Sequence, residues 1–142
     1  MPNAADRPEL LVVDASIVVA LVASRASDTE RLAARVGAAA LHAPTHLAVE
    51  VDSALRGLER GGRLTPAQAE AARRHAAALP IELWPWMLVA DRAWELRERL
   101  STYDAGYVAL AERLECTLVT GDRRIRASRA ARCTIETVAR LA

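Results

Sequence analysis

Four acidic residues of this 142-residue chain stand where their side chains could meet in one site. Asp14 and Asp122 each come at the end of a short apolar run that is typical of a buried strand. In a parallel sheet the carboxyl ends of the strands share one edge, and ligands bind there. Glu50 and Asp104 lie in segments of helical periodicity. Carboxylates gathered in this way are the ligands by which Mg²⁺ is held beside a phosphate substrate.

Glu50 is predicted at the edge of a buried helical face. Segment 45–60 carries apolar residues at helical spacing: Leu47, Val51, Ala54, Leu55 and Leu58. Glu50 is three residues after the first of them and four before the third, which places it on the flank of that stripe. The remaining charges fall on the opposite side with the i, i+4 spacing of a solvated face: Asp52, Arg56, Glu59 and Arg60.

Asp104 repeats this placement on a helix predicted over 102–114. Val108 is four residues on and Ala111 seven residues on, so the acid shares their apolar side. A plainer alternative stays open, because Ser101 and Asp104 have the spacing of a capping box. The acids at the strand ends have the same alternative, since Asp is a favoured helix N-cap.

The basic residues narrow the chemistry further. All 19 are arginine, which excludes the lysine-containing phosphate-binding loop and Schiff-base catalysis on lysine. The absence of lysine also argues against a phospho-accepting receiver domain. A buried charge is costly unless it is paired or binds a metal. The four acids therefore need either arginine partners or a cation.

Length and composition predict a single domain over 1–142, with 1–8 as a loose tail. There are 31 alanines, and the bulkier hydrophobic residues still suffice for a core. Cys116 and Cys133 form no zinc or redox motif, which predicts two buried thiols in a reducing compartment. The longest apolar run, 10–23, is too short to span a bilayer and has no signal-peptide character, so we expect a cytoplasmic protein.

Strand-sized apolar segments alternate with helical ones along the chain. The predicted strands are 10–13, 41–43, 81–84, 117–120 and 134–138. A capping box at Ser27 predicts a helix ending near Gly37, and a second one at Thr65 precedes Pro66. This alternation predicts an α/β fold with a parallel sheet of about five strands and helices on both faces.

Four stretches in order along the chain resemble the PIN domain, in particular VapC-type toxins of bacterial toxin–antitoxin modules. They are 13–16, 43–51 continued by 54–57, 103–112, and 118–123. The resemblance covers most of the chain and implies a three-layer α/β/α sandwich. It also implies an Mg²⁺- or Mn²⁺-dependent endoribonuclease with an RNA substrate and a cognate VapB-like antitoxin as its partner. Proteins of this type often form homodimers.

The resemblance places the acidic site on four positions, each of which holds the expected acid. Asp14, Asp104 and Asp122 are the main candidates for metal ligands, and Glu50 either binds a second ion or orients the attacking water. Thr120 corresponds to a hydroxyl that helps to hold the site.

An arginine-rich stretch follows the last acid. It holds Arg123, Arg124, Arg126, Arg129 and Arg132. We take the first two, with Thr120, as candidate substrate-contacting residues, since arginine neutralises RNA phosphates. A solvated basic face is the alternative. His42 and His46 have zinc-like spacing, but Pro44 between them breaks the helix that zinc binding would need.

All three tryptophans lie between positions 84 and 94, either in the core or at an interface with another chain. The sequence thus predicts a metal-dependent ribonuclease, with two alternatives. A non-catalytic PIN-fold module binding RNA or protein would not need all four acids. A small-molecule-binding α/β domain would use the acids as caps, but the chain lacks a Gly-rich phosphate loop.

Overall fold

Five parallel strands form the centre of the computed structural model, which describes residues 1, 3–24 and 26–138. The strands are β1 Leu10–Val13, β2 Ala40–Pro44, β3 Ile81–Trp84, β4 Thr117–Thr120 and β5 Ile135–Thr137. Their order in the sheet is β3-β2-β1-β4-β5, and every neighbouring pair is parallel. The predicted strand segments are therefore confirmed, and β1 lies at the middle of the sheet.

Helices connect the strands and cover both faces of the sheet. They are α1 Ala15–Ala23, α2 Ala26–Val36, α3 Leu47–Arg60, α4 Pro66–Ala78, α5 Ala90–Glu95, α6 Thr102–Arg113 and α7 Arg123–Ala127. Helices α1, α3 and α4 pack on one another, whereas α5 packs on α6, which lies across β1, β2 and β4. The α/β/α arrangement expected from the sequence is confirmed.

Burial follows the sequence pattern closely at the centre of the sheet. Residues 11–13 of β1 are fully buried, as expected for a short apolar strand between two neighbours. Helix α6 is buried along residues 105–111, where small residues let it lie close to the sheet. Neither Cys116 nor Cys133 is as deeply buried as predicted, since both are half-buried free thiols.

Two of the three local predictions for helix ends are confirmed. Thr65 and Gln68 form the complete capping box at the start of α4. Helix α2 ends beside Gly37, as predicted. The N-cap prediction for Ser27 is wrong, because α2 already begins at Ala26 and Ser27 lies inside its first turn.

The predicted amphipathic helix α3 is confirmed with one exception. Leu47, Val51 and Leu55 are buried, but Ala54 is exposed because its small side chain faces an open cleft. All four charges assigned to the solvated face are exposed. In the predicted tail, Ala4–Asp6 forms an exposed 3₁₀ turn, and Pro2 lies outside the described residues. None of the helices in the described ranges is long and apolar enough to cross a membrane.

Candidate active site

Asp14 lies at the carboxyl end of the central strand, where the chain turns into α1. Its Oδ1 accepts a hydrogen bond from the backbone N–H of Ile17 at 3.2 Å, so it is also the N-cap of α1. The capping alternative raised by the sequence is thus true of this residue. It does not account for the second carboxylate oxygen, which faces β4.

Two hydroxyl groups hold the Asp14 carboxylate from opposite sides. Ser16 donates to Oδ1 and Thr120 donates to Oδ2, each at 2.5 Å. Each hydroxyl also accepts a backbone N–H from the loop after β4, Ser16 from Gly121 at 2.9 Å and Thr120 from Asp122 at 3.0 Å. Each hydroxyl oxygen accepts a hydrogen bond from a backbone N–H, and each hydroxyl hydrogen is donated to the Asp14 carboxylate.

Burial nevertheless raises the pKa of Asp14 above its ordinary value. Desolvation is the largest cause, and the negative charge of Asp104 adds to it. The hydrogen bonds from Ser16, Thr120 and Ile17 act in the opposite direction but do not cancel the effect. The site therefore holds a carboxylate whose charge is poorly compensated by the protein itself.

Glu50 enters the site from the first turn of α3. Its Oε1 accepts a hydrogen bond from the Tyr107 phenol at 2.6 Å and lies 3.4 Å from His46 Nε2. Burial raises the pKa of Glu50, and Asp104 contributes to the shift. As predicted, the acid sits at the flank of the α3 stripe and is half-buried.

His46 has one possible tautomer in this environment. Its Nε2 lies 3.1 Å from the carbonyl oxygen of Tyr103, so this nitrogen carries the hydrogen, while Nδ1 is buried without a partner. The ring packs between Trp86 and Tyr107 at 5.3 and 4.7 Å between centroids, and burial lowers its pKa. His46 is thus a neutral packing residue beside Glu50.

Asp104 lies in the first turn of α6, opposite Glu50. Ser101 Oγ accepts the Asp104 backbone N–H at 3.1 Å, so one half of the predicted capping box is present. The reciprocal bond from the Ser101 backbone to the Asp104 carboxylate is not formed. Burial raises the pKa of Asp104, and the charge of Asp122 raises it further. The Ser101 side chain also acts on the Asp104 carboxylate and lowers its pKa, but burial outweighs that effect.

Asp122 caps the N-terminus of α7 and is paired with an arginine. Arg124 forms a forked ion pair with both Asp122 oxygens, with a shortest distance of 2.7 Å. The Arg124 guanidinium is exposed, so the pair is open to solvent. An exposed fork of this kind contributes little stability and can be exchanged for another partner.

The four predicted acids lie towards the carboxyl edge of the sheet. The charge of Asp104 acts on the pKa of Asp14 and of Glu50, and its own pKa responds to Asp122. As they stand, no three His, Cys, Asp or Glu side chains in the described ranges are grouped closely enough to hold an ion. In donor chemistry the set fits a hard divalent cation, because it offers several carboxylates with uncompensated charge.

An open cleft of about 1240 Å³ adjoins this cluster. Glu50, Ser16 and Asp122 line its polar end, and small apolar residues of α1 and α3 line its length. Arg123 and Arg124 also line the cleft, as does Arg63 from the loop after α3. The cleft thus combines acids at one end with exposed guanidinium groups that a polyanion can contact.

Not every predicted substrate residue faces this cleft. Thr120 is fully buried beneath Asp14, so its hydroxyl contacts the acid and not the cleft. Arg129 and Arg132 lie with Arg92 and Arg99 around a separate depression of about 270 Å³. Arg126 donates to the carbonyl of Ile135. The basic stretch is therefore divided among three locations.

Four residues of the site were not identified as such from the sequence: Ser16, His46, Arg63 and Tyr107. Ser16 and Tyr107 stand in the stretches that resemble the PIN domain, but a hydroxyl inside a helix carries no functional signal of its own. Arg63 follows the Gly61–Gly62 break and belongs to no sequence motif that would single it out. His42, by contrast, lies in β2 and accepts a hydrogen bond from Trp84 Nε1 at 3.0 Å, which is a packing role.

A five-stranded parallel sheet with helices on both faces and acids at its carboxyl edge is the α/β arrangement that the sequence predicts. The PIN domain family model matches residues 11–131. The chain belongs to the PIN-domain family, and the resemblance to its VapC-type members is confirmed.

The relatives include the VapC ribonuclease Mb0985 of Mycobacterium bovis, which is 37% identical over 131 residues, covering 92% of this chain and 100% of the relative. Ribonuclease VapC3 of Mycobacterium tuberculosis is 38% identical over 118 residues, covering 83% of this chain and 86% of the relative.

Two solved structures share the fold. PAE2754 from Pyrobaculum aerophilum gives a TM-score of 0.66 at 24% identity, over 89% of this chain and 83% of the other. FitAcB from Neisseria gonorrhoeae gives a TM-score of 0.59 at 15% identity, over 88% and 95%.

Proposed function

We propose that this chain is a metal-dependent endoribonuclease that hydrolyses RNA phosphodiester bonds and serves as the toxin of a two-protein module. The observation that carries the proposal is the placement of Asp14, Glu50, Asp104 and Asp122 beside an arginine-lined cleft. Relatives named as VapC ribonucleases over nearly the whole chain support it.

Asp14, Asp104 and Asp122 would hold the metal, with Glu50 at its edge. When bound, Mg²⁺ or Mn²⁺ supplies positive charge that polarises a phosphate and lowers the pKa of water. The raised pKa values of Asp14 and Asp104 indicate that the protein leaves this charge for an external cation to provide. Arg124 pairs directly with Asp122, and its charge lowers the pKa of Asp104 without reversing the net increase.

The chain's own residues have separable roles in this proposal. Ser16 and Thr120 fix the orientation of the Asp14 carboxylate. Glu50, with its pKa raised by burial, orients the attacking water and accepts its proton. Arg63 and Arg123 contact the phosphates of the RNA that lies in the cleft. Arg124 stands next to the reacting phosphate and can exchange Asp122 for it.

The test separates a catalytic from a capping role of Asp104. Asp104→Asn is nearly isosteric and keeps the backbone N–H that Ser101 accepts, so we expect the melting temperature to change little while RNA cleavage falls by orders of magnitude. Asp52→Asn is the matched control, since Asp52 is exposed and pairs with Arg73 on the solvated face. Wild-type cleavage by the Asp104 variant would exclude the assigned site.

Metal binding is tested without activity. Mn²⁺ or Mg²⁺ should raise the melting temperature of the wild type, because a ligand that binds only the folded state stabilises it. The increase should disappear in the variant carrying Asp14→Asn and Asp122→Asn. If neither ion stabilises the wild type, the acids act as caps and ion-pair partners, and the metal-dependent mechanism is wrong.

The non-catalytic alternative has one observation in its favour, the Arg124 fork that occupies Asp122. Binding of a labelled RNA by the wild type, without cleavage in the presence of either metal, would establish that alternative. Cleavage that Asp104→Asn abolishes would reject it.

The proposed partners are an antitoxin and a second copy of the chain. Of the three tryptophans, Trp94 is 68% exposed and carries Arg97 over its ring at 4.6 Å, whereas Trp84 and Trp86 are half-buried. An exposed aromatic–arginine pair is typical of an interface core. A blue shift of tryptophan emission on adding the antitoxin, lost in Trp94→Ala, would support this surface; unchanged emission in the complex would exclude it.

A further inference from the structure

Tyr107 joins two parts of the acidic cluster that no secondary-structure element connects. Its phenol donates a hydrogen bond to Glu50 Oε1 at 2.6 Å. The backbone of Ala15, the residue that follows Asp14, also acts on the phenol and lowers its pKa. The phenol thus contacts the α3 acid and is sensitive to the turn that follows the β1 acid.

This contact repeats the arrangement found at Asp14. Ser16 and Thr120 each accept a backbone N–H and donate to a carboxylate oxygen. Tyr107 likewise donates to a carboxylate oxygen, that of Glu50. The phenol has one hydrogen to give, and Glu50 receives it. Burial, followed by the Glu50 bond, raises the pKa of Tyr107 strongly, so the phenol keeps that hydrogen.

The Tyr107 ring has little freedom to take another orientation. It is buried, with only 1% of its surface exposed, and the His46 ring lies against it at a centroid distance of 4.7 Å. His46 in turn contacts Trp86, and Gly106 provides the room, since a Cβ there would lie 2.7 Å from His46 Cε1. The phenol oxygen is therefore held at a fixed point beside Glu50.

We propose that Tyr107 is a positioning residue for the hydrolysis reaction, which fixes the Glu50 carboxylate relative to Asp14 and Asp104. The inference rests on the proposed function and adds a role that the acids alone do not define. Asp104 and Tyr107 lie three residues apart on α6, so one rigid helix carries an acid of the site and aligns another. A displaced Glu50 would misplace the water without weakening RNA binding in the cleft.

Tyr107→Phe removes a single oxygen atom and leaves the ring packed. We expect kcat to fall by about 10- to 100-fold with little change in KM, because the lost bond orients a reacting group and binds no substrate. Tyr103→Phe is the matched control, since Tyr103 lies on the same helix and is 56% exposed. We expect this control to keep wild-type kcat.

A double-mutant cycle shows whether Tyr107 acts through Glu50. In a Glu50→Gln background, Tyr107→Phe should lower kcat by much less than it does in the wild type. A full and equal loss in both backgrounds would overturn the proposal, as would wild-type kcat in Tyr107→Phe. Denaturant unfolding of the wild type, the two single variants and the double variant gives their free energies of unfolding. These values report whether the two side chains are coupled in the folded molecule.

The outcomes distinguish this proposal from the function on which it rests. A wild type that cleaves no RNA with either metal overturns the proposed function and, with it, any role of Tyr107 in hydrolysis. An active wild type whose Tyr107→Phe variant loses stability but not kcat overturns only the positioning role. Loss of kcat that depends on Glu50 supports both.

Discussion

Thr120→Val tests how the Asp14 carboxylate is held. Thr120 is fully buried, donates to Asp14 Oδ2 at 2.5 Å and accepts the backbone N–H of Asp122 at 3.0 Å. Valine has nearly the same shape but neither donates nor accepts. The substitution therefore removes one of the three bonds to the carboxylate without creating a large cavity.

The expected loss follows from the two bonds that disappear. A hydrogen bond to a charged group contributes roughly 1.5–3 kcal/mol, and an unsatisfied backbone N–H costs about 1 kcal/mol more unless water reaches it. We expect Thr120→Val to lower the free energy of unfolding by about 2–4 kcal/mol at neutral pH. For a domain of this size the melting temperature then falls by roughly 10 °C.

The loss should depend on pH with a definite sign. Burial raises the folded-state pKa of Asp14 above 3.8, so its contribution to stability is most favourable at low pH and is lost as the pH rises through the folded pKa. Removing a bond that favours the charged form raises this pKa further. The variant should therefore be most impaired at about pH 7 and least impaired at about pH 3.

Denaturant unfolding at the two pH values measures this difference. Thr117→Val is the control, since it also replaces a threonine hydroxyl by a methyl group in β4. We expect it to change stability little. In an Asp14→Asn background, Thr120→Val should cost less, since the charged acceptor is gone. An equal cost at both pH values and in both backgrounds would refute the interpretation of Thr120 as an anchor of the carboxylate.

Four further predictions concern other parts of the molecule. Gly106→Ala places a Cβ 2.5 Å from an indole carbon and should lower stability by about 1–3 kcal/mol in thermal unfolding. Gly57→Ala has nothing within 4 Å and should raise it by up to about 1 kcal/mol. Burial raises the pKa of Glu112, but Arg92 outweighs this effect, and the net pKa is lowered. Glu112→Gln should therefore lower the free energy of unfolding by about 2 kcal/mol at neutral pH. The difference from the wild type should disappear at low pH, where Glu112 of the wild type becomes protonated. Trp94→Phe should shift the emission maximum to the blue, because the exposed indole is removed.

The strands and the acids could be predicted from the sequence because their signals are local. Leu11, Val12 and Val13 form an apolar run that only a buried strand accommodates, and Asp14 ends it. The flank position of Glu50 followed from helical geometry alone. The expectation that these acids share one edge of the sheet then required no further information, since parallel strands bring their carboxyl ends to the same edge.

Two of the supporting hydroxyls, those of Ser16 and Tyr107, could not be predicted in this way, whereas the Thr120 hydroxyl was expected from the resemblance. Ser16 accepts from Gly121, 105 residues away, and Tyr107 donates to Glu50, 57 residues away, and no spacing rule connects such positions. The Ser27 prediction was wrong although it rested on a local motif, because α2 begins one residue before Ser27, at Ala26. The arginine stretch likewise separated once α7 ended at Ala127 and turned Arg129 away from the cleft.

The long separation between Asp14 and Thr120 also sets the order of events during synthesis. Asp14 leaves the ribosome first, but its second anchoring hydroxyl is 106 residues further along, which corresponds to roughly 5–20 s of translation. Until β4 emerges and docks beside β1, the carboxylate is held on one side only and Asp122 does not yet exist. On the proposed function, the nascent polypeptide is therefore inert for most of the time it remains tethered to its own message.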